Sequence, residues 1–227
     1  TTWPTANRYL IGDRDGSDIS GIAQQAGNFI IFKLNNTNFK PGGIYEFSGV
    51  PGSGQIRLIN SDVGCLAHQS IVSYEGVLVF FGVDRNGVVG VYQYDGTPRV
   101  RYLSEAIEPT LNSLSFSALD DAIGEVYDSK YFLSITASGG TYNNRVYVGD
   151  LRQSDRLYKS PKWSWYDRSW NTATMYFVSG QGYLFTGAAT NGFVHREDSG
   201  TSDDTTDTIY GDTTAIDAYV DTKWYQP

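Results

Sequence analysis

The chain has 227 residues, of which 40% are hydrophobic, 15% aromatic and only 19% charged, with 17 Tyr and 25 Gly. That mixture suits pleated strands joined by tight turns, lacks the Ala/Glu/Lys/Leu bias of helical proteins, and is too apolar for a disordered chain. A formal net charge of −8 argues against a surface that grips nucleic acid by neutralising phosphates, though not against a channel past which DNA slides. The single cysteine, Cys65, leaves no internal disulfide and no multi-cysteine zinc site. Flanked by Val63, Leu66 and Ala67, it reads as a small buried hydrophobe rather than a reactive thiol. No apolar run approaches the roughly 18 residues of a membrane span, so no membrane partner is expected. The chain begins Thr-Thr-Trp-Pro rather than with Met. It is therefore expected to be a fragment or processed product of a longer parent.

The first stretch, NRYLIGDRDGSDISGIAQQA (7–26), is expected to hold the end of one repeat unit and the inner strand of the next. Within it Asp13, Asp15 and Asp18 read as turn residues bonding their own backbone, with Gly16 supplying positive φ. Metal binding by the three carboxylates is the less favoured reading.

Four later stretches then share one shape: GNFIIF (27–32), GVLVFF (76–81), KYFLSI (130–135) and GYLFTG (182–187). Aligning Phe29, Leu78, Phe132 and Leu184 gives spacings of 49, 54 and 52 residues. Each is followed by a turn and a second strand. Two of the connecting loops carry Asn-Gly, at Asn86-Gly87 and Asn191-Gly192, the pair suited to a type I′ hairpin turn. Further strands follow, such as GQIRLI, RVRYL and WSWYD. The expected architecture is all-β: a β-propeller of four-stranded antiparallel blades, four to five of them visible, with units near 22–70, 71–122, 123–175 and 176–227. A lone blade cannot bury its two faces, so strands such as GVLVFF should be covered on both sides. At the end, TTAIDAYVDTKW places Ala218, Val220, Thr222 and Trp224 on one face of a closing or edge strand.

SEAIEPTLNSL (104–114) breaks this rhythm. Ser104 is placed to cap a helix whose first turn carries Glu105 and Glu108, favourable at the positive end of the dipole. Ile107, Leu111 and Leu114 form one apolar stripe. Pro109 predicts a short or broken helix, inserted between two blades and laid on them by that stripe.

The remaining polar clusters yield no assigned catalytic, cofactor-binding or metal-ligating residue, and the chain is read as no enzyme. His68 and His195 lie in different units, without zinc-site spacing. Glu197, Asp198, Asp203, Asp204 and Asp207 read as a solvated loop lacking the ladder of a calcium-binding hand. Trp163 and Trp165 share a face and, with Trp170, suit interblade packing better than sugar stacking. No nucleotide-binding or nucleophile-elbow fingerprint occurs.

Residues 62–111, DVGCLAHQSIVSYEGVLVFFGVDRNGVVGVYQYDGTPRVRYLSEAIEPTL, resemble a propeller region recurrent in tailed-phage virion proteins. The shared pattern is Asp-x-Gly-Cys, an apolar strand, a Gly-led apolar strand, Tyr-x-Tyr-Asp-Gly, then Ser-x-x-Ile-Glu-Pro before a short helix. GIAQQAGNFIIFKL, NNRVYVGDLR, WSWYD and AIDAYVDTKW fit as well, so the resemblance spans nearly the whole chain, although His68 stands where the pattern leads one to expect proline. The chain looks like the packaged-DNA stabilisation, or tail hub and nozzle, proteins of short-tailed phages. The resemblance implies a virion protein forming a homo-oligomeric ring beneath the portal. Such a ring would contact portal or adaptor and tail fibre or spike proteins, and let DNA pass without sequence-specific binding. The rival readings are a carbohydrate-binding propeller and, more distantly, a glycosidase-like one.

Overall fold

A computed structural model describes residues 9–197, apart from 13–14, 51, 115–117, 138, 154–159 and 191. The chain is all-β, built as four antiparallel blade-like sheets that stack face to face in chain order. Sheet 1 holds β1 (Asp18–Gln25), β2 (Asn28–Asn35), β3 (Lys40–Ser48) and β4 (Gln55–Asn60), paired in that order. Sheet 2 has β5 (Val63–Cys65), β6 (Val72–Tyr74), β7 (Val77–Asp84), β8 (Val89–Tyr94) and β9 (Val100–Tyr102), with β5 and β6 both pairing along β7. Sheet 3 runs β10 (Ile123–Tyr127), β11 (Lys130–Ile135), β12 (Arg145–Asp150) and β13 (Lys162–Tyr166). Sheet 4 has three described strands, β14 (Trp170–Val178), β15 (Gln181–Ala188) and β16 (Val194–Arg196). The frames counted from the repeat therefore start within β1 and within β14, and leave β5 with the unit before its own sheet. The closing strand expected around Ala218–Trp224 lies outside the described residues.

Each of the four aligned apolar stretches is the second strand of its sheet, reached through a two-residue hairpin. The turns are Ala26-Gly27, Glu75-Gly76, Asp128-Ser129 and Ser179-Gly180, and both residues of every pair have positive φ. That geometry matches the right-handed strand twist and is the type I′ turn. It sits one hairpin earlier than expected. At Asn86-Gly87 only Gly87 has positive φ, at 85°. There Asp84 organises a longer loop, its Oδ1 accepting from the Asn86 and Val88 amides at 2.8 and 2.9 Å. Asn191 lies outside the described residues.

The turns also correct the repeat alignment. Counting two residues past each turn puts Phe29, Leu78, Tyr131 and Gly182 in register, rather than Phe132 and Leu184. A one-residue slip reverses the face of a side chain, and the packing follows the corrected register. Ile30 and Phe32 of sheet 1 meet Leu78 and Phe80 of sheet 2. Val79, Phe81 and Val83 on the other face of β7 meet Tyr131, Leu133 and Ile135 of sheet 3. Phe132 turns to sheet 4, packing with Trp170 and Leu184. β7 and β11 are thus covered on both faces, and each fully buried large side chain contributes roughly 1.5–3 kcal/mol by leaving water.

Polar contacts fix the stacking where apolar contact alone would allow sliding. Gln25 Nε2 donates to the Gly76 and Tyr94 carbonyls at 2.8 and 3.3 Å, joining sheets 1 and 2. Trp163 Nε1 donates to the Leu103 carbonyl at 3.0 Å, joining sheets 3 and 2. Ser134 Oγ donates to the Trp170 carbonyl at 3.0 Å, joining sheets 3 and 4.

The insertion after β9 is a 3-10 turn at Glu105–Ile107 followed by the single-turn helix α1 (Glu108–Leu111), with Pro109 in its first turn. Proline tolerates that position because the first amides of a helix have no intrahelical acceptor. Leu111 and Leu114 are buried, with Ile107 packed beside them, in the core shared by sheets 2 and 3. Ser104 does not cap the helix. It is buried, and its Oγ accepts the Val91 amide of β8 at 2.9 Å. The expected cap is corrected for a physical reason: a buried strand amide beside it had a stronger claim on the hydroxyl than a solvated helix end.

Ser129 lacks the glycine that its turn position favours, at φ 58°. Ser129→Gly should stabilise the fold by about 1 kcal/mol through relief of left-handed strain, read as a melting temperature raised by about 2–4 °C for a chain this long. An unchanged or lowered melting temperature would contradict the turn assignment.

Candidate functional site

The first strands of the sheets converge on one side of the stack, where the chain splits its regular ladder. Between β5 and β6 a 3-10 turn, His68–Ser70, bulges out of line with β7. The Phe81 amide, left without a strand partner there, donates to Ser70 Oγ at 2.9 Å, while the hydroxyl donates to the Ala67 carbonyl at 2.6 Å. Tyr131 OH reaches from sheet 3 to the Ser70 carbonyl at 2.8 Å. Gly124 of β10 passes so close that a Cβ would stand 2.6 Å from the same carbonyl oxygen. Ser70 therefore joins the split strand to the neighbouring sheet.

Beside this junction lies an open cleft of about 460 Å³, bounded by the 3-10 turn, β6, β10 and β14. Its polar rim comes from Gln69, Ser73, Glu125, Asn171 and Thr172, one group or more from each of sheets 2, 3 and 4. Glu125 is half-buried. Burial pushes its carboxyl up from the ordinary range, opposed by the Val126 amide, which donates to Oε1 at 2.9 Å. The cleft can hold water or a small polar molecule. Beyond Glu125 it presents no second titratable side chain with which to move a proton.

The residues weighed from the sequence are not brought together. Cys65 is fully buried in the core between sheets 1 and 2, where burial pushes its thiol up to about 12, opposed by hydrogen bonding with the Ala67 backbone and the Ser70 side chain. That is the packing role expected of it. His68 is exposed on the 3-10 turn, on the side toward Gly21 of β1, whereas His195 is exposed on β16 beside the Phe193 ring. Asp15 is occupied by Lys33, at 2.7 Å, and by the Ser17 amide and hydroxyl. Asp18 accepts from Asn36 Nδ2 at 3.2 Å. Asp13 lies outside the described residues, as do Asp198, Asp203, Asp204 and Asp207. Glu197 accepts from Thr186 Oγ1 at 2.8 Å. Among the described residues no three His, Cys, Asp or Glu side chains gather as a metal site. No helix among them is long and apolar enough to cross a membrane.

Of the tryptophans, Trp163 lies over Gly149 and bonds the preceding sheet, and Trp170 is buried against Phe132. Trp165 is partly exposed, its ring covered by the Arg145 guanidinium at 4.5 Å. Ser70 and Glu125 were missed by sequence reading. Both lie in strand-like text without a motif, and only the split of the first strand gives either a special position.

What the fold defines is an all-β protein of blade-like antiparallel sheets stacked in chain order. A scan against protein-family models matches none, and a search of curated proteins finds no similar chain.

Two predictions belong to this junction. Ser70→Ala strands the buried Phe81 amide, and the expected loss is about 1–3 kcal/mol of stability in urea denaturation; a loss within error would show the hydroxyl to be dispensable. Glu125 has a folded-state pKa raised above its unfolded value of about 4.3. The favourable balance therefore holds below that value and is lost as pH rises through the folded one. Glu125→Gln should accordingly be more stable than the parent near neutral pH, with the advantage vanishing at about pH 4. A urea-midpoint difference that is flat with pH, or of opposite sign, would refute the burial argument.

Proposed function

We propose that this chain is a structural component of a tailed-phage virion, a propeller at the head–tail junction or tail hub that retains and conducts DNA. Its work is assembly rather than chemistry, with portal or adaptor and fibre or spike proteins as neighbours. The observation that carries this reading is the insertion at 104–114. The same Ser-x-x-Ile-Glu-Pro residues that resemble the phage pattern form a wedge whose Leu111 and Leu114 are buried between sheets 2 and 3. Asp-x-Gly-Cys, the other end of the pattern, forms β5, with Cys65 in the core between sheets 1 and 2. The motif thus coincides with the residues that join three successive blades. The net charge of −8 fits a wall along which DNA slides without being held.

The test is electron microscopy of native particles labelled with an antibody against this chain. Label confined to one capsid vertex or to the tail, in a ring of copies, is the expected result. Label absent from particles, with the chain recovered only as free protein, would overturn the virion assignment.

A further inference from the structure

Sheets 2 and 3 are each flanked by a sheet on both faces, whereas sheets 1 and 4 have a neighbouring sheet on one. The outer face of sheet 1 is covered only in part, by the chain's own Tyr9, packed edge to face on Phe47 at 4.8 Å, and by Ile11 and Gly12, whose carbonyls accept from Lys33 Nζ. The corrected register says which faces remain. In every sheet the second, fourth and sixth residues after the hairpin turn face the preceding sheet, and the third and fifth face the following one. By that rule Phe29 of β2 faces a preceding sheet, together with its cross-strand neighbours, and no sheet covers it among the described residues. Phe29 is 52% exposed, Ile22 49% and Leu58 50%. At the other end of the stack Tyr183 and Phe185 of β15 face a following sheet, beside Tyr176 of β14, which is 59% exposed. Tyr176 meets Phe185 edge to face, and the Arg196 guanidinium lies 4.9 Å from the Tyr183 ring centre.

These two surfaces differ from an ordinary solvated sheet face, which alternates to polar side chains. At the second to fifth residues after the turn they correspond to the two sides of the three interfaces already formed within the chain. The sixth residue in sheet 1 is Lys33, which is held instead by Asp15 and the Ile11 and Gly12 carbonyls. One side is the preceding-facing set that Leu78 and Tyr131 occupy in sheets 2 and 3. The other is the following-facing set that Phe32, Phe81 and Phe132 occupy in sheets 1, 2 and 3. Each exposed face is therefore built to receive the other kind, and not its own kind.

We propose that a second copy of this chain supplies it: the outer face of sheet 4 in one copy seats on the outer face of sheet 1 in the next, continuing the internal stacking head to tail. Such a contact is heterologous, so repetition either closes a ring or extends a filament. The proposal rests on the ring reading above and names the surfaces that would build it.

The experiment uses the purified 227-residue chain, in sedimentation velocity across a concentration series. The parent chain should self-associate, and Phe29→Asp and Tyr176→Asp should each remain monomeric while keeping the parent's circular dichroism. An equimolar mixture of the two variants should then form a dimer and nothing larger. The first retains a sound sheet 4 face, the second a sound sheet 1 face, and one working contact remains between them. Leu58→Asp and Val178→Asp serve as a second pair should either variant fail to fold. A parent chain that stays monomeric at every concentration overturns the proposal, whichever terminal segment covers the faces instead. Self-association by Tyr176→Asp alone overturns it in favour of a sheet 1 to sheet 1 contact. The outcome is separate from the particle labelling: the chain can associate through these faces and yet be absent from virions, or be present in virions with these faces inert.

Discussion

The second strand of each sheet has apolar side chains on both faces, and this one constraint arranges the rest. On β7, Leu78 and Phe80 point one way and Val79, Phe81 and Val83 the other, all of them buried. No hairpin or single sheet satisfies such a strand. It needs a sheet on each side, and those sheets have strands of the same kind that impose the same demand on their own neighbours. Stacking is therefore propagated along the chain instead of being closed within a unit, and the core is a series of slabs with no single centre.

Once the slabs form, the first strands carry the burden of fitting them together. β5 and β6 together fill the place that β1 and β10 each fill as one strand, and the break between them is repaired by Ser70 with bonds to Phe81, Ala67 and, from the next sheet, Tyr131. Gly124 is small where β10 must pass the Ser70 carbonyl. The polar cleft is a consequence of this convergence: strands that meet edge-on leave space that sheets meeting face-on do not. Its one carboxylate, Glu125, is accounted for by burial and a neighbouring amide. The chemistry in the cleft is spare, and the interfaces are where this molecule concentrates specific contacts.

Much of this order can be read from the residues, and the failures share a cause. Strand identity, the fifty-residue repeat, two-sided burial, the broken helix at Pro109 and the packing role of Cys65 all follow from local composition, because each depends on a short window. The hairpin turns were sought at Asn-Gly, yet they sit at Ala26-Gly27, Glu75-Gly76, Asp128-Ser129 and Ser179-Gly180. Asp128-Ser129 contains no glycine at all, and no turn dictionary picks it out. Hydrophobicity aligned Phe132 and Leu184 with Leu78, because a strand with apolar side chains on both faces has no alternation by which to detect a slip. Ser104 looked like a helix cap because its best acceptor role, toward the Val91 amide, comes from another strand. Glu125 and Ser70 matter through neighbours 46 or more residues away in the fold's next sheet or through a split ladder, and neither relation is written locally.

The same ambiguity has a structural benefit. In a sheet with one solvated face, a one-residue slip exposes the core and is strongly disfavoured. In β7 or β11 a slip would exchange one apolar face for another at smaller cost. The register must be held by something other than hydrophobicity, and the tight positive-φ turns are well placed to do it, since each pairs the first and second strands with no spare residue. The polar ties between sheets, Gln25 to Gly76 and Trp163 to Leu103, then fix how one slab lies on the next. Apolar burial supplies the adhesion, whereas turns and a few directional hydrogen bonds decide which of several nearly equal stackings is adopted. A protein whose specificity resides in such stacking can extend it beyond its own last sheet without any new kind of contact.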